Sequence, residues 1–212
     1  MNEERYGRYP DVEAHGAKIP AIGLGTWQLS GETCTRAVIA ALECGYRHVD
    51  TAKMYGNESE VGDGLRSAGV ARDEIFVTTK AWRDDLHEGD LQRSAEANLK
   101  RLGLDKLDLL LIHWPNRNIP LKESIKALCE TRARGLTRHI GVSNFPVVLL
   151  EQALAVATEP IVTNQCEYHR GSIRRKCSLP AASTAFRSRL IVRSAAAKAL
   201  AIPRSRKSPS ST

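Results

Sequence analysis

The chain has 212 residues, with 31 lysines and arginines against 24 aspartates and glutamates, 42% hydrophobic residues and 5% aromatics. That length suits one large domain or two small ones with a buried core, and no stretch approaches the roughly 18 consecutive apolar residues of a membrane span. The net charge of +7 is unevenly placed: residues 170–212 hold 11 basic and no acidic side chains, leaving residues 1–169 with 20 basic and 24 acidic ones.

The first 18 residues are charged and lack an apolar run, so no secretory signal is expected. Cys34, Cys44, Cys129, Cys166 and Cys177 are odd in number and form no CxxC pair. They point to reduced thiols in a cytoplasmic setting rather than to a disulfide scaffold or a metal site.

In chain order, AIGLGTW (21–27) reads as a strand, and Ala37, Ala40, Ala41 and Cys44 follow the spacing of one helix face that ends at Gly45. RHVDTA (47–52) is the next strand. Asn57, with Glu60 three residues later, has the form of a capping box before Val61, Leu65 and Ala68, and Gly69 closes that helix. EIFVTTK (74–80) is a strand followed by a helix through Leu91, Ala95, Leu99 and Leu102 to Gly103. KLDLLLIHW (106–114) contains a continuous apolar run, Leu109 to Ile112, which predicts a strand buried on both faces. Leu121, Ile125, Leu128 and Cys129 mark the helix after it, which ends at Gly135. RHIGVSN (138–144), a helix through Leu150, Ala153, Leu154 and Ala157, and PIVTNQCEY (160–168) complete six βα units. Such alternation predicts an α/β fold with a parallel sheet, either doubly wound or part of a (β/α)8 barrel.

Beyond Tyr168-His169 the alternation stops. The division expected is a barrel portion over 1–169 and a Ser/Ala/Arg-rich basic segment over 170–212. That segment reads as a disordered tail, as the product of a frame change in GC-rich coding DNA, or as an arm for nucleic acid or anionic surfaces. Phe186 is its one aromatic residue, which argues against base stacking.

Gly23-x-Gly25 begins a dinucleotide fingerprint, but Gln28 stands where the third glycine is needed, so a Rossmann site is not expected. The ionisable residues at strand ends carry more information. Asp50, Lys80 and His113 close the second, third and fourth strands, and Tyr55 follows Asp50 by five residues. Singly, each has an ordinary explanation as a cap, a solvated end, a core histidine or a loop aromatic. Together they fall on the C-terminal rim of a parallel barrel, where chemistry is placed. An ammonium about 4 Å from a phenol is worth roughly 4 kcal/mol at an effective dielectric near 20. Lys80 is therefore expected to lower the pKa of Tyr55 by roughly two units or more, with Asp50 keeping Lys80 charged and oriented. His113 would orient a substrate carbonyl while Tyr55 donates its proton.

With GLGTW, GYRHVDTAKMYGNESEVG, VTTKAW, LDLLLIHWP, GVSNF and NQCEYH in this order, the chain resembles the aldo-keto reductases over residues 10–169. It is most similar to the bacterial branch that reduces small aldehydes and diketo sugar acids. The resemblance implies a (β/α)8 TIM barrel plugged by an N-terminal β-hairpin turning at His15-Gly16, NADPH/NADP+ as cofactor, a small-molecule carbonyl substrate and a monomer. It assigns catalysis to Asp50, Tyr55, Lys80 and His113. Ser143, Asn144 and Gln165 would hold the nicotinamide carboxamide, with Thr26 and Trp27 beneath the ring, and Asp50 also on the cofactor. Trp27, Trp82 and Trp114 would wall the substrate pocket beside Tyr55 and His113. The family pattern then lapses: Arg170 stands where a proline is expected, and no seventh or eighth strand is recognisable. From that lapse come the expectations of an incomplete barrel, strand edges open to swapping or aggregation, and impaired carbonyl reduction. A non-catalytic fragment with a basic binding arm is the alternative.

Overall fold

The computed structural model describes residues 10–167. The chain opens with an antiparallel hairpin, β1 (Asp11–Ala14) and β2 (Ala17–Pro20), in the register Asp11↔Pro20 to Ala14↔Ala17. His15 and Gly16 turn it with φ of 46° and 82°. Both angles are positive, as a two-residue turn matching strand twist requires. The expected hairpin is thus present at the expected turn.

The strands β3 (Leu24–Gly25), β4 (His48–Asp50), β5 (Phe76–Ala81), β6 (Leu107–Ile112), β7 (Thr137–Ser143) and β8 (Ile161–Gln165) form one sheet, paired in sequence order and all parallel. Between them run α1 (Gly31–Glu43), α2 (Glu58–Ser67), α3 (Asp90–Leu102), α4 (Leu121–Ala133) and α5 (Val147–Val156). This is the curled parallel sheet of a barrel, six strands long among the described residues. Within them no helix is long and apolar enough to cross a membrane. The segment 170–212 lies outside the described residues, and so do its expectations.

Every residue of β6 is buried, and two cores explain the unbroken apolar run. Leu109 and Leu111 meet the hairpin residues Ala14, Ala17 and Ile19 on the inner face, together with Val162 of β8. Leu110 and Ile112 join the larger core shared with the helices. The hairpin therefore closes one end of the sheet's interior and leaves the C-terminal strand ends as the accessible rim.

Two local readings need correction. The first strand is two residues long instead of spanning 21–27, because the partner β4 is itself short and the Ala21 N–H donates to Pro10 O at 3.1 Å, closing the hairpin. Helix α1 buries Cys34, Val38, Ala41 and Leu42, while Cys44 is an exposed cap. The period is as predicted, but the helix is rotated so that its larger apolar side chains face inward, which removes more area from water than the alanine face would.

Helix packing is close. Gly62 of α2 lies against α3, where an added Cβ would enter the envelope of the Leu102 carbonyl oxygen. That neighbour is backbone and cannot swing away. Gly62→Ala is expected to lower stability by about 1–3 kcal/mol, read as a reduced urea midpoint at unchanged slope.

Candidate active site

Register places the chemistry. Gly25 pairs with Asp50 and Asp50 with Thr78, while Lys80 pairs with Leu111 and Ser143 with Gln165. The ends of β3 to β8 therefore converge on one rim. Tyr55 ends a short 3-10 turn, Lys53–Tyr55, which follows β4 and folds over that rim.

Lys80 is 1% exposed and makes three hydrogen bonds through Nζ, to Asp50 Oδ1 at 2.6 Å, Thr51 O at 2.8 Å and Tyr55 Oη at 3.4 Å. Its ammonium also lies 5.0 Å from the Tyr55 ring centroid. Burial alone would lower its pKa, but the Asp50 carboxylate and its bond outweigh that, with Tyr55 adding to them, so the group is held above the ordinary lysine value. Lys80 is therefore a fixed positive charge.

The phenol responds differently from the sequence expectation. Burial raises the Tyr55 pKa more than the Lys80 charge lowers it, and the Asp50 carboxylate raises it further. The net direction is upward. The sequence argument counted the ammonium without the loss of water around the ring or the carboxylate behind the amine, and both disfavour a phenolate. At neutral pH Tyr55 holds its proton.

His113 stands edge-on to Tyr55, centroids 5.7 Å apart, and edge-on to Trp82 at 5.4 Å. Burial first, and then the Lys80 charge, push its pKa down to about 4 against the opposing pull of Asp50. The imidazole is accordingly neutral near pH 7. Its Nδ1 is buried without a hydrogen-bond partner among the described residues.

Trp27 also packs on Tyr55, with 5.0 Å between centroids and the rings tilted by 57°. Trp27 and Trp82 thus flank the Tyr55–His113 pair. Trp114, 44% exposed, lines a groove of about 650 Å³ formed with Ile119, Asn144, Phe145 and Leu149.

Of the five side chains expected at a carboxamide or beneath the ring, Thr26, Ser143, Asn144 and Gln165 form one connected array around Asp50, while Trp27 packs on Tyr55 instead. Gln165 Nε2 donates to Asp50 Oδ2 at 2.8 Å, giving the carboxylate a second partner opposite Lys80. Ser143 Oγ donates to Gln165 O at 2.9 Å, and Asn144 Nδ2 donates to His113 O and to Ser143 Oγ, both at 3.1 Å. Thr26 donates to Asp50 O through Oγ1 at 3.2 Å and through its N–H at 3.0 Å. The array gathers amide donors and acceptors of the kind that pair with a carboxamide, so the residues present fit a nicotinamide headgroup.

Sequence reasoning missed three members of the surroundings. Asn57 stands at the start of α2, but its side chain makes no capping bond; it reaches other loops instead, because a buried amide there finds carbonyl and hydroxyl partners. Glu58, 2% exposed, accepts from Thr79 Oγ1 at 2.6 Å and from Arg101 Nε at 2.7 Å, tying α2 to β5 and α3. His48 is fully buried, with Nε2 2.9 Å from Thr78 Oγ1. None carries a local pattern that would have separated it from an ordinary cap, surface acid or strand residue.

His48 and His113 together predict an acid limit to stability. Burial is the largest cause lowering both pKa values in the fold, so the unfolded chain binds protons that the native chain refuses. Stability is therefore expected to be fully present above about pH 6.5, the ordinary histidine value, and to fall as pH drops below it. For His113 the fall continues to about pH 4. Melting temperatures across this range check it. Replacing His113 with Gln should flatten part of the slope.

Comparison with known proteins gives a consistent picture. The family model described as Aldo/keto reductase family matches residues 21–177. The chain is 45% identical over 152 residues to the Salmonella typhi protein named methylglyoxal reductase DkgB, an alignment covering 70% of this chain and 57% of that relative. Among solved structures, it superposes on an aldo/keto reductase from Brucella melitensis with a TM-score of 0.72 at 40% identity, covering 76% of this chain and 64% of that one. The Bombyx mori aldo-keto reductase in complex with NADP gives a TM-score of 0.72 at 35% identity, with 76% and 59% covered. The chain spans just over half the length of the curated relatives it matches, 57% for the Salmonella protein.

Proposed function

Because the chain belongs to the aldo/keto reductase family, we propose that it reduces aldehyde and ketone carbonyls to alcohols with NADPH, its substrates being small aldehydes or diketo sugar acids. One observation carries this reading: a protonated phenol, Tyr55, 3.4 Å from an ammonium that Asp50 holds at 2.6 Å, on the open rim of a parallel sheet. The name of the Salmonella relative, a methylglyoxal reductase, supports the substrate class.

In this reading Ser143, Asn144 and Gln165 hold the nicotinamide carboxamide, with Thr26, Trp27 and Asp50 nearby. When bound, NADPH supplies the hydride that the carbonyl carbon gains. The chain supplies the rest. Tyr55 keeps a proton at Oη and releases it to the carbonyl oxygen as negative charge grows there. Lys80, charged throughout, stabilises the phenolate left behind, and Asp50 stops that ammonium from giving up its own proton. Neutral His113 keeps an N–H to orient the carbonyl oxygen without competing as an acid. Trp27 and Trp82 exclude water beside the phenol, which strengthens each of these interactions, and Trp114 extends the apolar wall. The chain acts as a monomer in this reading, and the unpaired Cys34, Cys44 and Cys129 favour a cytoplasmic setting.

The test is isotope transfer, which detects slow turnover. The purified chain is given methylglyoxal and NADPH deuterated at nicotinamide C4. Deuterium on the carbinol carbon of the product, lost in Tyr55→Phe, is the expected result. No transfer above the protein-free control would overturn the reading. The basic-arm alternative rests on residues 170–212, outside the described residues, and no observation favours it.

A further inference from the structure

We infer that Asn57 is a positioning residue for the proton donor: its one side-chain amide fastens the Tyr55 loop, the backbone partner of Lys80 and the Trp27 wall to one another. Asn57 is 1% exposed. Its Nδ2 donates to Thr26 O at 2.8 Å and to Leu29 O at 2.9 Å, and its Oδ1 accepts from Thr51 Oγ1 at 2.9 Å. Three consequences follow from who these partners are.

Thr51 and Asn57 are the two ends of the segment that carries Tyr55, so their bond cinches that loop shut. Thr51 is also the residue whose carbonyl accepts from Lys80 Nζ at 2.8 Å. A shift of Thr51 therefore moves the ammonium's cradle as well as the loop. The other two partners bracket Trp27, whose ring lies 5.0 Å from the Tyr55 ring. The acid, its ammonium and its aromatic cover thus meet at one amide. Only an amide can do this in so small a space, since two carbonyls require two N–H donors and the hydroxyl requires an acceptor. A carboxylate would face both carbonyls with its oxygens, and an aliphatic side chain would leave all three partners buried and unpaired.

The inference rests on the reading of Tyr55 as the proton donor, but its test needs neither cofactor nor turnover. The full chain is labelled with 3-fluorotyrosine, whose phenol is more acidic than tyrosine's, and the Tyr55 resonance is assigned by its loss in Tyr55→Phe. Its ionisation is then followed by fluorine NMR in the wild type, Asn57→Ala, Thr51→Val and Thr51→Ser. Lys80, Asp50 and His113, the charged and titratable groups facing the phenol, are not substituted in any of these variants. With the loop unfastened the ring gains water, and burial is the largest cause of its raised value. The Tyr55 midpoint should therefore fall by on the order of one pH unit in Asn57→Ala and Thr51→Val. Thr51→Ser keeps the hydroxyl and should titrate as the wild type does. A wild-type midpoint in Thr51→Val, or an equal shift in Thr51→Ser, would overturn the inference, leaving Asn57 as packing alone. Should Asn57→Ala not fold, the two Thr51 variants decide the matter. A wild-type chain that transfers no hydride would defeat the reductase reading and leave this comparison standing.

Discussion

Replacing Lys80 with Met is expected to cost about 3–5 kcal/mol of folding stability, the loss seen when one partner of a buried ion pair is removed. The side chains of Lys80 and Asp50 are 1% and 3% exposed, so neither charge has water to fall back on. Methionine preserves most of the volume, which separates the electrostatic cost from a cavity. Without the ammonium, the Asp50 carboxylate keeps Gln165 Nε2 on one oxygen and loses its partner on the other. Thr51 O loses its side-chain donor at the same time. The second half of the prediction is recovery. Asp50→Asn in the Lys80→Met background removes the stranded charge and should return a substantial part of the lost stability. Chemical denaturation of the wild type, both single variants and the double variant forms a cycle whose coupling isolates the pair. A loss below about 1 kcal/mol for Lys80→Met, the range of an exposed pair, would mean that water reaches the Lys80–Asp50 pair. The variant should also be inactive, since the phenolate would face Asp50 with no positive charge between them.

The placement of Asp50, Lys80 and His113 was legible because two periods coincide in the sequence. Strand and helix alternate regularly, and the ionisable residues recur where each strand stops, so a parallel sheet sends them to one rim. The hairpin was legible for a similar local reason, a His-Gly pair able to take two positive φ angles. What was hidden depended on neighbours distant in the chain or on burial. Gln165 meets Asp50 across 115 residues, a contact no local pattern encodes. Asn57 was read as a cap because capping residues and buried bridging amides look alike until the facing carbonyls are known. The face of α1 was misread by one step because counting alanines ignores that Val38 and Leu42 gain more from burial. The direction of the Tyr55 shift was misread because charge separation can be guessed from a sequence, whereas desolvation cannot.

Exchanging Tyr55 for Phe is expected to lower carbonyl reduction by about 10²–10⁴-fold, the contribution of a positioned general acid, while leaving stability nearly unchanged. The ring keeps its contacts with Trp27 and His113, and only the phenol's bond to Lys80 is lost. Lys80 retains Asp50 and Thr51, so no charge is stranded. The two variants therefore separate cleanly: Lys80→Met loses stability and rate, Tyr55→Phe loses rate alone. The pH dependence sharpens the prediction. Catalysis needs the protonated phenol, and burial holds its pKa above the ordinary tyrosine value of about 10. The rate should be flat from neutral pH through about pH 9 and decline above about 10, where the phenol begins to ionise. Below pH 7, His113 does not protonate until about pH 4, so any earlier acid loss of rate should track the melting temperature rather than the chemistry. An alkaline limb that began near pH 8 would show that the ammonium, rather than burial, sets the acidity of Tyr55. An unchanged rate in Tyr55→Phe would mean that the proton comes from another group.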